Sequence, residues 1–115
     1  MIQGLHHFAI IVSSETSIGF YEKLGFRVSF RKERKYDTVV LMEGYGIQIE
    51  MFIDPHHPQR ATKPEHIGLR HIALKVDSVE KMAREFECGE IMSDWTGQRF
   101  AYTYDPDGLP IEFHE

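Results

Sequence analysis

The sequence contains a single cysteine, Cys88, among its 115 residues. One cysteine cannot form a disulfide within the chain, so a reducing compartment is expected. Long apolar runs are also missing. The run from Phe8 to Val12 near the start is too short for a signal peptide or a membrane span. We therefore expect a cytoplasmic protein that does not enter a membrane.

An excess of positive charge is lacking as well. The chain carries 13 Lys and Arg residues against 18 Asp and Glu residues, which gives a net charge of −5. Nucleic acids and anionic membrane surfaces attract proteins through a cationic face, so neither is an expected partner. With 42% apolar and 27% charged residues, the composition is that of one globular domain rather than a disordered chain.

Apolar periodicity and turn residues indicate the same order of elements twice along the chain. The first copy is predicted as a strand over 5–12, a helix over 16–24 ended by Gly25, and strands over 26–34, 38–43 and 46–53. The second copy is predicted as a strand over 69–76, a helix over 78–86, and strands over 90–93, 98–104 and 109–114.

Short segments also align between the two copies. The segment LHHFAI at 5–10 matches LRHIAL at 69–74, and IQIEMF at 47–52 matches LPIEFH at 109–114. An internal repeat of this kind indicates two similar modules that share one architecture.

We therefore predict an α+β fold made of two βαβββ modules within a single domain. The modules cover about 4–54 and 69–115, and a proline-containing loop over 55–68 joins them. In this prediction the sheets form a half-barrel or cup, and the helices lie on its outer face.

Side-chain alternation along the strands separates one histidine and one glutamate from the core of each module. In the first module, His7 and Glu50 point away from the helix. His71 and Glu112 occupy the equivalent positions of the second module. A single histidine in an apolar strand is more often a satisfied core residue, and a single glutamate is more often a surface residue. Four such residues at equivalent positions favour one shared site.

Two neutral imidazoles and two carboxylates form a donor set that suits a divalent transition metal. We expect one divalent ion per site, with Zn²⁺ or Ni²⁺ first and Co²⁺, Mn²⁺ or Fe²⁺ as alternatives. Four protein ligands leave room for water or substrate on the ion, so the site is interpreted as catalytic rather than structural.

Five segments of the chain resemble the vicinal oxygen chelate superfamily, which includes glyoxalase I, bleomycin resistance proteins and extradiol dioxygenases. They extend from residue 5 to residue 113 and read LHHFAI, FYEKLGF, IQIEMF, LRHIALKV and YTYDPDGLPIEF. Within it, the sequence is most similar to small bacterial proteins labelled lactoylglutathione lyase-related. The resemblance implies a metal site of the glyoxalase I pattern, with the ligands His7, Glu50, His71 and Glu112.

The resemblance also implies a reaction. A lyase or isomerase of this type acts on a small oxygen-chelating substrate, such as the hemithioacetal of methylglyoxal and a thiol. The metal polarises two neighbouring oxygens, and a glutamate moves a proton between adjacent carbons. Glu112 is the first candidate for this catalytic base and Glu50 is the second, since the glutamate of the second half has this role in glyoxalase I.

Substrate contacts are less sharply indicated. Arg99 and Arg70 could bind an anionic group of the substrate, and Trp95 and Phe100 could line a pocket. Solvent-exposed arginines and core aromatic residues are the competing interpretations. We also expect a homodimer, in which the ligands of one site come from one chain or from both chains.

Two other functions stay open from the sequence. One is another metal-dependent enzyme of the same fold, such as a thiol transferase acting on an epoxide antibiotic or a dioxygenase. The other is a binding protein of the bleomycin resistance kind, which sequesters a ligand without catalysis. The complete set of four ligands weighs against sequestration, because binding alone does not need them.

Overall fold

The computed structural model describes residues 1–115 and divides into two compact units, 1–58 and 59–115. Each unit contains one four-stranded sheet and one helix, and neither sheet closes into a barrel. The predicted α+β class and the repeated βαβββ order are therefore confirmed. Neither helix has the length and apolar character that crossing a membrane requires.

The first unit has its sheet in the order β1-β4-β3-β2. The first and last strands, β1 and β4, pair in parallel, and the other neighbours are antiparallel. The elements are β1 (Phe8–Val12), α1 (Thr16–Lys23), β2 (Arg27–Glu33), β3 (Thr38–Gly44) and β4 (Ile47–Ile53).

The second unit repeats this arrangement with the order β5-β8-β7-β6. Its first and last strands, β5 and β8, again pair in parallel. The elements are β5 (Ile72–Lys75), α2 (Val79–Glu85), β6 (Met92–Ser93), β7 (Arg99–Tyr104) and β8 (Pro110–His114).

The first strand of each unit begins three residues later than the sequence predicts. The ladders start at Phe8 and Ile72, although the alternation of apolar residues begins at Leu5 and Leu69. Those two leucines are 71% and 61% exposed, so they add nothing to the core. As a result, the histidines at positions 7 and 71 lie just before their strands rather than inside them.

The core of each unit consists of the strand residues that face away from these histidines. In β1, Ile10 and Val12 are buried while Ala9 and Ile11 are exposed, as the alternation predicts. In β8, Phe113 is fully buried and its ring packs against Phe86 at the end of α2, with 5.3 Å between the ring centroids.

Helix α1 ends in a Schellman motif, as the glycine at its end predicts. The Gly25 N–H donates to the Glu22 carbonyl at 2.9 Å, and the Phe26 N–H donates to the Tyr21 carbonyl at 3.0 Å. Gly25 has a φ of 108°, and a Cβ there would collide with the Tyr45 hydroxyl. That hydroxyl donates to the Leu24 carbonyl at 2.5 Å, so the loop after β3 is fastened to the end of the helix.

Replacement of Gly25 by alanine is expected to destabilise the chain by at least about 1 kcal/mol, because the new methyl group meets both an unfavourable φ and the Tyr45 hydroxyl. Gly19 provides the matched control, since it lies inside α1 with open space around its Cβ position. Gly19→Ala is expected to raise stability by roughly 0.5–1 kcal/mol. Urea unfolding followed by circular dichroism measures both changes, and equal effects of the two variants would contradict the assignment.

Two hairpins of the second unit are closed by the same five-residue motif. In the turn after β6, the Asp94 Oδ1 atom accepts from the N–H groups of Thr96 and Gln98 at 2.8 and 2.9 Å. In the turn after β7, the Asp105 Oδ1 atom accepts in the same way from the two equivalent N–H groups, both at 2.9 Å. Each motif has a glycine of positive φ at its fourth position, which closes the turn.

The pKa of Asp94 is lowered from 3.8 to about 2, first by a hydrogen bond from the Thr96 hydroxyl and then by the two N–H groups and His114. Because the folded pKa lies below the ordinary value, the carboxylate stabilises the fold above about pH 4, and this stabilisation is lost as the pH falls towards 2. We expect the free energy of unfolding to fall less steeply between pH 5 and pH 2 in Asp94→Asn than in the natural chain. Parallel pH curves for the two chains would contradict this expectation.

Candidate functional site

In the first unit, His7 and Glu50 lie beside each other on the face of the sheet that is opposite α1. Glu50 is in the middle of β4, and its partner across the parallel ladder is Ala9, two residues after the histidine. The His7 Nε2 atom lies 3.9 Å from a carboxylate oxygen of Glu50, and the two side chains are 33% and 27% exposed. The pair is therefore accessible to a small ligand but not fully solvated.

In the second unit, His71 and Glu112 form the equivalent pair. The ladder partner of Glu112 is Ala73, again two residues after the histidine. The His71 Nε2 atom lies 3.6 Å from a carboxylate oxygen of Glu112, and the side chains are 23% and 11% exposed. Each unit thus brings one predicted histidine and one predicted glutamate together in the same register.

Both imidazole rings have a hydrogen-bond partner at Nδ1, which leaves Nε2 on the side of the glutamate. The His7 Nδ1 atom is hydrogen-bonded to the His6 ring at 2.8 Å. The His71 Nδ1 atom accepts a hydrogen bond from the Arg70 guanidinium at 3.1 Å, because a guanidinium can only donate. In both units the Nδ1 side of the ring is occupied, and Nε2 faces the carboxylate.

The two glutamates differ in the residue that stands beside them on the next strand. Leu41 lies across from Glu50, whereas Tyr102 lies across from Glu112. Burial first, and then interaction with the Glu112 carboxylate, raises the pKa of the Tyr102 hydroxyl. That hydroxyl also accepts a hydrogen bond from Arg70 at 3.3 Å. The second pair therefore has a hydroxyl group on the neighbouring strand, where the first pair has an aliphatic side chain.

Tyr102 was not among the residues that the sequence indicated. The alternation of β7 places it on one face with Phe100 and Tyr104, and the pairing of β7 with β8 sets it against Glu112. The strand pattern was visible in the sequence, but the pairing register that joins tyrosine to glutamate was not.

The substrate contacts that the sequence predicts separate into two groups, according to the face of the sheet on which they lie. Phe100 remains on the face of Glu112, with its ring 6.0 Å from Tyr102, and Arg70 lies against the same tyrosine. Arg99 instead forms an ion pair with Glu80 of helix α2, on the opposite face of β7.

Trp95 is also away from the pair. It occupies the turn between β6 and β7 and is 95% exposed. The turn motif exposes its second residue, so an indole at this position neither packs in the core nor lines the surround of Glu112.

Each pair offers one nitrogen donor and one oxygen donor. No group of three or more His, Cys, Asp or Glu side chains in the structure is arranged to hold a metal ion.

Comparison with known proteins gives a consistent assignment over the whole chain. The model of the glyoxalase/bleomycin resistance protein/dioxygenase superfamily matches residues 4–113. The uncharacterized protein YwkD of Bacillus subtilis is 40% identical over 126 residues, with 100% of this chain and 98% of that protein covered. The uncharacterized protein YaeR of Escherichia coli is 35% identical, with 99% and 97% covered.

Solved structures agree with this assignment. A glyoxalase family protein from Enterococcus faecalis superposes with a TM-score of 0.89 at 34% identity, with 98% of both chains covered. Bleomycin-binding and fosfomycin resistance proteins and a lactoylglutathione lyase share the fold at 16% to 21% identity. On the match over residues 4–113 and on these relatives, the chain belongs to the glyoxalase/bleomycin resistance protein/dioxygenase superfamily.

Proposed function

We propose that the chain is a divalent-metal-dependent lyase or isomerase of the glyoxalase I type. Its substrate is a small molecule with neighbouring oxygens, such as the hemithioacetal of methylglyoxal and a thiol. The observation that carries the proposal is the duplicated histidine–glutamate pair, at equivalent register positions of the two sheets. Members of this superfamily typically bind a divalent metal ion.

The donor chemistry of the pairs fits such an ion. Imidazole nitrogen and carboxylate oxygen are ligands of Zn²⁺, Ni²⁺, Co²⁺, Mn²⁺ and Fe²⁺ alike. We propose that one ion is held by both pairs together, either from one chain or from the two chains of a homodimer. When bound, the ion would act as a Lewis acid on the hydroxyl and carbonyl oxygens of the substrate.

The proton transfer falls to Glu112 in this proposal. Its carboxylate takes the proton from the carbon that bears the hydroxyl group and returns it to the neighbouring carbonyl carbon, while the proton of the hydroxyl group passes to the oxygen of that carbonyl. The first carbon becomes a carbonyl and the second a hydroxyl-bearing carbon, so no oxidant or reductant is needed. Its side chain is 11% exposed against 27% for Glu50, and exclusion of water limits exchange of the transferred proton with solvent.

The residues around Glu112 would keep the carboxylate in place during this transfer. Tyr102 stands across the ladder from it, and Arg70 holds both the Tyr102 hydroxyl and the His71 ring. Glu50 has Leu41 in the equivalent position, which cannot hydrogen-bond a carboxylate. Glu50 is therefore assigned to metal binding alone.

Removal of either histidine is expected to abolish stoichiometric metal binding, because both pairs are needed for the donor set. The natural chain, loaded with Zn²⁺ or Ni²⁺ and dialysed, should retain about one ion per chain, and His7→Ala and His71→Ala should retain little. Elemental analysis of the dialysed proteins measures this. His66→Ala serves as the control, since His66 is exposed in the loop before β5. Full retention of metal by both ligand variants would disprove the assignment.

Glu112→Gln is expected to lower kcat by about 10²- to 10⁴-fold, the usual contribution of a general base. The assay is the turnover of methylglyoxal with glutathione or another small thiol, at a metal concentration that saturates each variant. Glu50→Gln is the matched control and should lose metal affinity while keeping more of its kcat once it is loaded.

Equal loss of kcat in the two loaded variants would refute the assignment of the base to Glu112. A loaded natural chain that turns over no hemithioacetal would refute the glyoxalase reaction. The same chain should then be assayed for thiol addition to an epoxide antibiotic.

A further inference from the structure

The second unit contains a cavity of about 450 Å³ on the face of its sheet that carries Glu112. One wall is the loop segment 60–65, and the opposite wall includes Tyr102, Tyr104 and Pro110. The ladder pairs Tyr102 with Glu112 and Tyr104 with Pro110, so these walls continue directly from the glutamate. The volume is that of a site for a small molecule.

The cavity is lined by more positive than negative charge. Arg60, Lys63 and Arg70 contribute three cations, and Glu65 is the one acidic residue of the lining. This excess stands out in a chain whose net charge is −5. A cationic wall in an acidic protein favours an anionic ligand at this place.

Arg70 is held with its guanidinium facing the cavity. One terminal nitrogen donates to the Tyr102 hydroxyl at 3.3 Å and to the His71 ring at 3.1 Å, and the guanidinium lies 5.9 Å from the centroid of the Tyr102 ring. Its Nε atom lies 2.9 Å from a carboxylate oxygen of Glu65. Arg70 thus already binds an oxyanion group, supplied by the loop itself.

The loop that supplies this carboxylate is fastened by a second arginine. Arg60 donates to the backbone carbonyls of Leu69 and Arg70, at 3.3 and 2.8 Å. Both bonds use one terminal nitrogen of Arg60, and the residue also lines the cavity. Both arginines therefore line the cavity, and Arg70 also contacts His71 of the His71–Glu112 pair.

We propose that this cavity binds an anionic group of the substrate, a carboxylate or a phosphonate, with Arg70 as the principal contact and Glu65 as the internal carboxylate that the ligand displaces. The planar guanidinium matches both kinds of oxyanion. The Arg70 and Glu65 side chains are 57% and 52% exposed, and ion pairs at such exposure are weak enough to exchange with a ligand. The inference rests on the proposed function in one respect: the anion would belong to the substrate of the adjacent pair.

Anion binding at the cavity is tested on the full-length, metal-free chain, so that the probe cannot bind to a metal ion. Acetate and methylphosphonate are titrated separately, and NMR follows the Tyr102 and Tyr104 amides and the Arg70 Nε–H group. Saturable shifts confined to these signals are expected. The probe with the lower Kd identifies the oxyanion as planar or tetrahedral.

Three variants test whether the cavity residues determine the Kd of the anion probes. Glu65→Gln removes the competing carboxylate and should lower Kd by about two- to fivefold. Arg70→Gln should raise Kd by about tenfold or more, since charge-assisted hydrogen bonds are lost. Arg84→Gln, on the exposed side of α2, removes the same charge elsewhere and should leave Kd unchanged.

Shifts that do not saturate, or a Kd that is the same in all three variants, would overturn the proposal. The outcome is separable from that of the metal experiments. Anion binding by a chain that retains no metal would support this cavity and refute the metal-dependent function. If the chain binds metal and turns over substrate, but neither Glu65→Gln nor Arg70→Gln changes the Kd of the anion probes, the metal-dependent function is supported and the anion-binding cavity is refuted.

Discussion

The parallel ladder between the first and last strands of each unit is the constraint on which the candidate site depends. It sets Ala9 opposite Glu50 and Ala73 opposite Glu112. In each unit, the histidine two residues before the alanine therefore lies beside the glutamate of that unit. The ladder is fixed by burial, because the residues on either side of each glutamate belong to the core. A slip of one residue would exchange the core face for the open face and separate each pair.

The two histidine–glutamate pairs are equivalent in register, but the side chains around the two glutamates differ. Glu112 has a tyrosine beside it and an arginine behind that tyrosine, whereas Glu50 has Leu41 and greater exposure. A hydroxyl-bearing neighbour beside one glutamate and an aliphatic neighbour beside the other are consistent with different roles for the two glutamates. In our proposal both halves hold the metal, and the second half also moves the proton and receives the anionic group of the substrate.

The sequence was sufficient for the fold and for the strand face that carries each histidine and glutamate, because alternation is a local pattern and the repeat is found by comparing segments directly. It was not sufficient for the strand starts, since exposed Leu5 and Leu69 continue the apolar pattern beyond the ladder. It also did not reveal Tyr102. In β7 the small Ala101 is fully buried on the face towards α2 while the aromatic residues lie on the open face, and hydrophobicity alone predicts the opposite. Arg99 lies on the same face of β7 as Ala101, which is why it meets Glu80 of α2 rather than Glu112.

The central claim is that two equivalent pairs hold one metal ion. Anomalous diffraction from crystals of the Zn²⁺- or Ni²⁺-loaded protein, recorded at the absorption edge of the metal, tests it most directly. The account predicts one strong peak per chain, at about 2.0–2.2 Å from donor atoms of all four ligands. These ligands are His7, Glu50, His71 and Glu112. A peak bound by one pair alone, or by residues outside the two pairs, would contradict it.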